Sequence, residues 1–89
     1  MGATGWLARV YVTPKEGVLD PAGKAVQHSL HALGFHEVGD VRLGKYLELR
    51  LADVSLDSAR SRLQAMCERL LANGVIEDFR FDLEETPPG

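Results

Sequence analysis

The chain has 89 residues, a formal net charge of −3, and 45% hydrophobic and 26% charged residues. This length leaves room for one domain, and the composition is that of an ordinary globular protein. Because nucleic-acid binding requires a basic surface, we expect no nucleic-acid partner. The single cysteine excludes an internal disulfide, and no apolar run reaches the roughly 18 residues of a membrane span. We therefore expect a soluble, cytoplasmic protein that does not interact with a membrane.

The first predicted element is a strand over residues 6–12, "WLARVYV". Its residues alternate between an apolar face and a mixed face, which is typical of a half-buried strand. Residues 1–5 are interpreted as a variable start that precedes the domain.

The stretch "VTPKEGVLDPAGKAV" joins this strand to a helix. Pro14 and Gly17 break the strand, and Asp20 followed by Pro21 is typical of a helix N-cap and its first turn. Most of the stretch is therefore interpreted as a structural connection and not as an active-site loop.

The first predicted helix covers about residues 22–33. Small and apolar residues recur there at helical spacing, and Gly34 is suited to the left-handed conformation that ends many helices. The pattern indicates a short amphipathic helix.

Residues 41–51 are predicted to form one long strand, because their odd positions are apolar except for Lys45. A tight hairpin at Gly44-Lys45 would expose the leucines and bury charges, so we interpret Gly44 as a bulge or a local break within the strand. Eleven residues at about 3.3 Å each span roughly 36 Å, whereas a compact chain of this length has a radius of gyration of about 12 Å. We expect the strand to extend beyond its own domain.

A second helix is predicted over about residues 56–72, with Ser55 or Asp57 as its N-cap. Alternation returns over residues 75–83 and predicts a third strand. The end of the chain, "EETPPG", is acidic and proline-rich, which predicts disorder.

Together these elements predict an α+β fold: a two-layer βαβαβ sandwich with a small, mainly antiparallel sheet, two helices on one face and a long middle strand. The single domain is set at residues 6–85, with residues 86–89 as a disordered tail. The other face of the sheet would be uncovered, and this favours sheet-mediated self-association. The exposed side chains on that face are predicted to be Leu7, Tyr11, Tyr46 and Ile76.

No catalytic or metal site emerges from the sequence. Cys67 lies on the apolar stripe of a helix and is interpreted as a structural thiol. His28, His31 and His36 lack further ligands at metal-binding spacing. The acidic residues near the C-terminus alternate as on a solvated strand, and the glycines form no phosphate loop.

Four collinear segments carry a resemblance to a known family: "VYVTPKEGVLDPAGKAV", "HALGF", "VRLGKYLEL" and "CERLLANGVIEDFRFDLEE". Over roughly residues 6–85 the chain resembles the PurS family, the small subunit of phosphoribosylformylglycinamidine synthase, also called formylglycinamide ribonucleotide amidotransferase. Gly74 stands where the family more often has proline, and glycine can form the same turn.

The resemblance implies a non-catalytic subunit of an ATP- and glutamine-dependent ligase complex in de novo purine biosynthesis. Its implied partners are itself, as a dimer or tetramer, a large synthase subunit and a glutaminase subunit. It would join these two so that ammonia passes between them. The implied ligands, ATP, Mg and glutamine, are used by the complex, so ATP binding and nucleotide binding are expected of the complex. No cofactor is expected on this chain.

The residues of these motifs that are not obviously core are predicted to bind partners: Lys15, Asp20, Arg42, Lys45 and Tyr46. Each has a simpler interpretation. Asp20 is well placed as a helix cap, and Lys15 as a solvated loop charge. Lys45 falls on the apolar face of its strand, so it must reach past the edge of the core or face a partner.

An alternative function is a dimeric regulatory module that binds a small ligand, since many α+β domains of this size do so and the fold alone does not decide. The number of copies in the assembly, the surface that meets the glutaminase, and a requirement for glutamine or nucleotide are left open.

Overall fold

The computed structural model describes residues 5–52 and 54–86. The order of elements is strand, helix, strand, helix, strand, which confirms the predicted α+β class and its βαβαβ sequence. The elements are β1 (Gly5–Pro14), α1 (Pro21–Ala32), β2 (Lys45–Leu51), α2 (Leu56–Met66), a π-helical turn (Cys67–Leu71) and β3 (Glu77–Thr86).

The three strands form one antiparallel sheet with β1 at its centre, in the order β2-β1-β3. Alternate residues of β1 are buried, as the sequence pattern predicts. Val10 illustrates the register, because it lies opposite Leu47 on one side and Phe81 on the other. The buried face of β1 consists of Trp6, Ala8, Val10 and Val12.

The core lies between this face and α2 with the turn that follows it. Leu63 and Cys67 are fully buried against β1, and Ala72 closes the end of the cluster. Helix α2 begins at the predicted cap, where the Ser55 hydroxyl accepts a hydrogen bond from the Ser58 N–H at 3.2 Å. Neither helix of the described chain has the length and apolar character needed to cross a bilayer.

The middle strand is shorter than predicted. It begins at Lys45 and has 7 residues, so the prediction of one strand over residues 41–51 was wrong at its start. Two features end the pairing: Pro14 has no N–H to offer a neighbouring strand, and the backbone of Gly44 passes so close to the Val12 carbonyl that a side chain at residue 44 would clash. Gly44 therefore marks a break before the strand and not a bulge within it.

Helix α1 does not cover the sheet, although two helices were predicted to cover one face. The core of the described residues takes no side chain from α1, and contact between α1 and the strands is slight. The body is elongated as a result, with a radius of gyration of 17.2 Å and extents of 57 × 27 × 14 Å. A compact chain of this length has a radius of gyration of about 12 Å.

Both ends of the sheet run further than predicted. Gly5 opens β1 and pairs with Thr86, the last residue of β3. Residues 84–86 are thus ordered by pairing with β1 and do not belong to a disordered tail. The predictions for residues 1–4 and 87–89 lie outside the described residues.

Helix α1 is followed by its C-cap Leu33 and by Gly34, which has the predicted positive φ, here 100°. The chain then returns along α1. We call residues 38–43 the return segment. His31 Nε2 lies 2.7 Å from the Val38 carbonyl oxygen, and the Gln27 side-chain amide donates to the Gly39 carbonyl. We call α1 together with the return segment the α1 arm.

A tight contact at Gly23 fixes the return segment to α1. A Cβ atom built on Gly23 would clash with the Val41 carbonyl oxygen. Gly23→Ala is therefore expected to lower the free energy of unfolding by about 1–3 kcal/mol, although alanine favours a helix by about 1 kcal/mol. Urea denaturation followed by circular dichroism measures the change.

The matched control is Gly74→Ala, because a Cβ atom at Gly74 would meet nothing within 4 Å. This control should leave the stability within about 0.5 kcal/mol of the parent value. Equal effects of the two substitutions would contradict the close packing at Gly23.

Candidate partner-docking site

A cleft of about 390 Å³ opens between the β1–α1 connection and the return segment. It brings together three of the five residues predicted to bind partners: Lys15, Asp20 and Arg42. The sequence did not indicate that Lys24 and Asp40 would join them. The full lining is Lys15, Glu16, Gly17, Val18, Leu19, Asp20, Lys24, Asp40, Val41 and Arg42.

The connection is shaped by backbone hydrogen bonds. The Lys15 N–H donates to the Ile76 carbonyl at 2.8 Å, and the Val18 N–H donates to the Lys15 carbonyl at 3.1 Å. Gly17 has a φ of 85°, a left-handed conformation that glycine adopts without steric cost. These contacts give the first wall of the cleft a fixed backbone.

Asp20 joins the two walls of the cleft. One carboxylate oxygen accepts the Gly23 N–H at 3.0 Å, as predicted for a helix cap, and the other accepts the Leu43 N–H at 2.9 Å. The bond from Leu43, followed by that from Gly23, lowers the pKa of Asp20 below its ordinary value of 3.8. The carboxylate is thus used structurally, and its contact with a partner stays a prediction.

The cationic side chains lie at the rim. Lys15 Nζ is 2.9 Å from Asp78 Oδ1 in a solvent-exposed ion pair, which contributes little to stability. Arg42 Nη1 donates to the Pro14 carbonyl at 3.3 Å. Lys24 is exposed and forms no ion pair with any residue that the structure describes. Basic and acidic groups are balanced around the opening, so the cleft has charges of both signs and little net charge.

Lys45 and Tyr46 lie away from the cleft. Lys45 is on the core side of the sheet, as its position predicts, and its Nζ reaches past the edge of the core to donate to the Leu71 carbonyl at 3.1 Å. It thereby places a cation at the end of the π-helical turn, where helix carbonyls carry partial negative charge. This contact supports the simpler of the two interpretations of Lys45, and its partner contact stays a prediction.

Tyr46 belongs to the open face of the sheet. Its ring centroid lies 5.2 Å from that of Tyr11, and its hydroxyl donates to Glu48 at 2.7 Å. That bond is the main reason why the pKa of Tyr46 is raised. Arg80 lies over the other aromatic ring, 4.0 Å from the Tyr11 centroid.

Several polar side chains on the open face of the sheet are paired with one another. Besides the aromatic cluster, Arg9 forms an ion pair with Glu84 at 2.6 Å. Ile76 was predicted to lie on this face. It lies instead in the turn before β3, where its carbonyl accepts a hydrogen bond from the Lys15 N–H. Leu7 lies on this face opposite Arg50 and Glu84, so the surface is more polar than the sequence pattern indicated.

The side chains that were considered for catalysis or metal binding lie in surroundings that do not favour either. Cys67 is fully buried in the core, and burial raises the pKa of its thiol, so it is not a reactive nucleophile. His28 and His36 are exposed. Across the described residues, no three histidine, cysteine or carboxylate side chains come close enough together to hold a metal ion.

Comparison with known proteins gives one consistent result. The family description "PurS: Phosphoribosylformylglycinamidine (FGAM) synthase" matches residues 7–85. The phosphoribosylformylglycinamidine synthase subunit PurS of Bacillus subtilis is 54% identical over 79 residues, which cover 86% of this chain and 90% of that protein.

Solved structures agree with the sequence match. PurS of Methanocaldococcus jannaschii, one of the subunits of formylglycinamide ribonucleotide amidotransferase in the purine biosynthetic pathway, has a TM-score of 0.78 at 32% identity, covering 92% of this chain and 99% of that one. A chain in the structure of PurLQS from Thermotoga maritima has a TM-score of 0.77 at 26% identity, covering 92% and 98%.

The chain is a small α+β body with a polar cleft, whose walls are joined by hydrogen bonds to Asp20, and with a buried thiol. The comparisons give its family: this chain belongs to the PurS family. PurS proteins are subunits of phosphoribosylformylglycinamidine synthase, and the resemblance inferred from the sequence motifs is confirmed.

The lowered pKa of Asp20 makes the stability of the cleft depend on pH. A carboxylate whose folded pKa lies below its unfolded value stabilises the fold above the unfolded value, and this stabilisation is lost as pH falls. The loss is expected below pH 3.8. Unfolding by urea, measured between pH 7 and pH 2.5, should show it as a fall in stability.

Asp20→Asn supplies the comparison, because its side-chain amide oxygen still accepts a hydrogen bond but does not titrate. This variant should be less stable than the parent at pH 7, and the difference should shrink as the parent is acidified. A constant difference between the two proteins from pH 7 to pH 2.5 would show that Asp20 does not carry this effect.

Proposed function

We propose that this chain is the small, non-catalytic subunit of phosphoribosylformylglycinamidine synthase in de novo purine biosynthesis. The match to PurS over residues 7–85 carries the proposal. The chain spans 90% of its Bacillus subtilis relative, so the likeness concerns nearly the whole of that subunit and not a shared fragment. Catalysis belongs to the assembled complex.

The role proposed for the chain is to join a glutaminase subunit to the ATP-dependent synthase subunit. Ammonia released into water becomes protonated and loses its nucleophilicity, so a junction that excludes water preserves it for attack on the activated amide. Such a junction needs complementary surfaces and no catalytic side chain. The buried Cys67 and the structural use of Asp20 agree with this role.

The proposal assigns the ligands to the other subunits. ATP, Mg and glutamine are used by the complex, this chain binds none of them, and the complex works in the cytoplasm. The chain would self-associate and contact both the large synthase subunit and the glutaminase. The PurLQS structure of Thermotoga maritima, which contains a chain similar to this one, supports a complex of this kind.

The cleft is the proposed docking surface for another subunit. Lys15 and Arg42 display charges at its rim, and Asp20 fixes the distance between its walls. Because the walls are already bonded to each other, little conformational entropy is lost when a partner binds. Lys45 and Tyr46 are proposed as a second, separate set of contacts at the edge and open face of the sheet.

The role as a joining subunit predicts a selective requirement for this chain. Glutamine-dependent synthesis by the large and glutaminase subunits should need it, whereas synthesis from added ammonia by the large subunit should not. Product formation is measured with each nitrogen source, with and without the chain. The chain alone should form no product.

Ammonia serves as the internal control, since it bypasses transfer between subunits. Full glutamine-dependent activity without the chain would refute the proposed function. Calorimetry of the isolated chain against amino acids and nucleotides tests the regulatory alternative, which requires a specific ligand with micromolar affinity.

The docking cleft predicts that charge reversal at its rim weakens the complex. Arg42→Glu should reduce glutamine-dependent activity at limiting concentration of this chain by at least about tenfold, since a misplaced interfacial charge costs several kcal/mol. Activity with ammonia should not change. Complex formation is measured in parallel by analytical ultracentrifugation.

Arg60→Glu is the matched control, because Arg60 is an exposed arginine of α2 outside the cleft. It makes the same change in net charge and should leave activity unchanged. Equal losses with the two variants would attribute the effect to overall charge, and no loss with Arg42→Glu would remove the cleft from the interface.

A further inference from the structure

The cleft beside the β1–α1 connection gathers positive charge in a chain whose net charge is −3. Two of the three lysines in the sequence line it, Lys15 and Lys24, and Arg42 joins them from the return segment. Three carboxylates also line the cleft, so the two signs are equal in number. The two signs differ in how many of their groups are already used within the chain.

The carboxylates of the cleft are partly occupied by the backbone. Both oxygens of Asp20 accept N–H groups, and Asp40 Oδ1 accepts the Val41 N–H at 3.1 Å. Glu16 is exposed and forms no ion pair within the part of the chain that the structure describes. The acceptors left for another molecule are therefore Glu16 and one oxygen of Asp40.

The basic groups of the cleft keep more of their hydrogen-bonding capacity. Lys24 is exposed, and its ammonium group pairs with no carboxylate among the described residues. Arg42 donates from Nη1 to the Pro14 carbonyl at 3.3 Å, and a guanidinium has several further N–H donors. Lys15 Nζ contacts Asp78 Oδ1 at 2.9 Å and also has donors left. The cleft thus offers more free donors than free acceptors.

An exposed apolar side chain lies beside these donors. Leu19 lines the cleft and is 79% exposed, whereas leucine is among the residues most often buried. The segment that carries it is held on both sides, by the Val18 N–H bonded to the Lys15 carbonyl and by the cap at Asp20. Leu19 is therefore held in place where a partner can cover it.

These features favour a segment of protein over a small molecule. Pockets for small ligands are lined mainly by apolar side chains, but six of the ten residues that line this cleft are charged. An arginine and an exposed apolar side chain within a polar rim are typical of protein interfaces.

The acidic end of β3 does not fill the cleft of its own chain. Glu84 and Glu85 lie opposite Leu7 and Trp6, toward the other end of β1 from Pro14. At about 3.3 Å per residue, they are roughly 25 Å from the cleft. An acidic occupant is therefore not supplied by this part of the chain.

We propose that the cleft binds an acidic segment of another subunit of the synthase, with a carboxylate on Arg42 and Lys24 and a neighbouring apolar side chain on Leu19. The inference rests on the proposed function and deepens it by stating the chemistry of the docking partner. A guanidinium can donate two parallel N–H bonds to one carboxylate, and Lys24 adds a second positive charge. A basic segment would find acceptors only at Glu16 and Asp40.

The first test measures the affinity of variant chains for the large and glutaminase subunits by analytical ultracentrifugation. Lys24→Gln should weaken binding roughly fivefold and Arg42→Gln at least about tenfold. Glu16→Gln should strengthen binding roughly twofold, because it removes a charge that repels the acidic segment. Added salt should reduce the difference between the parent and Lys24→Gln, since exposed charges are screened.

Arg60→Gln and Glu37→Gln are the matched controls, because both residues are exposed and lie outside the cleft. They make the same changes in net charge and should leave the affinity unchanged. Stronger binding by Lys24→Gln and weaker binding by Glu16→Gln would indicate a basic segment and overturn the inference.

Zero-length cross-linking of the unmodified complex identifies the occupant without any substitution. A carbodiimide joins a lysine amine to a carboxylate that contacts it, so Lys24 should be joined to an aspartate or glutamate of another subunit. Mass spectrometry locates that residue, and the same reaction on the chain alone is the control. A Lys24 cross-link that forms equally in the chain alone would overturn the inference, since the carboxylate would then belong to a copy of this chain.

The outcomes distinguish this inference from the proposed function. A complex that supports glutamine-dependent synthesis and binds all cleft variants as tightly as the parent would overturn the inference alone. Full glutamine-dependent synthesis without the chain would refute the proposed function, and the inference with it.

Discussion

The bridge formed by the Asp20 carboxylate determines how the two halves of this chain are arranged. One oxygen caps α1 through the Gly23 N–H, and the other holds the Leu43 N–H of the return segment. Because this amide is bonded to a side chain, it does not pair with a strand, and this adds to the break that Pro14 and Gly44 make before Lys45. The same carboxylate therefore starts α1, delays the start of β2 and closes the floor of the cleft.

As a result, the chain consists of two parts that do not share a core. One part is a three-stranded sheet covered by a single helix, whose core of mainly small and medium side chains is centred on β1. The other part is the α1 arm, which is rigid in its own contacts but does not share that core. A short chain stabilises itself only marginally, so surface left uncovered within the monomer favours assembly. The polar cleft lies where the two parts meet.

Patterns that act within a few residues were readable from the sequence, and contacts between distant residues were not. Asp20-Pro21, Ser55 and the alternation in β1 and β3 correctly predicted helix starts and strand faces. The alternation of Val41 and Leu43 was read as a strand, because an extended segment keeps the same pattern when it bonds to a helix. The apolar spacing on α1 was visible as well, but periodicity alone did not show that this helix lies away from the core of the sheet. For the same reason, the cleft was predicted only in part, through Lys15, Asp20 and Arg42.

For the proposed role in ammonia transfer, it matters that the polar cleft and the core are separate parts of the chain. Water must be excluded where the subunits meet, which requires surfaces that keep their shape before binding. In the cleft, that shape depends on hydrogen bonds to backbone groups, which surface substitutions leave intact. The charged rim, which is the proposed docking surface, can vary without weakening the fold, since exposed pairs such as Lys15 with Asp78 contribute little to stability. In the proposed docking surface, the specificity for a partner and the stability of the fold are thus assigned to different residues of the same short segment.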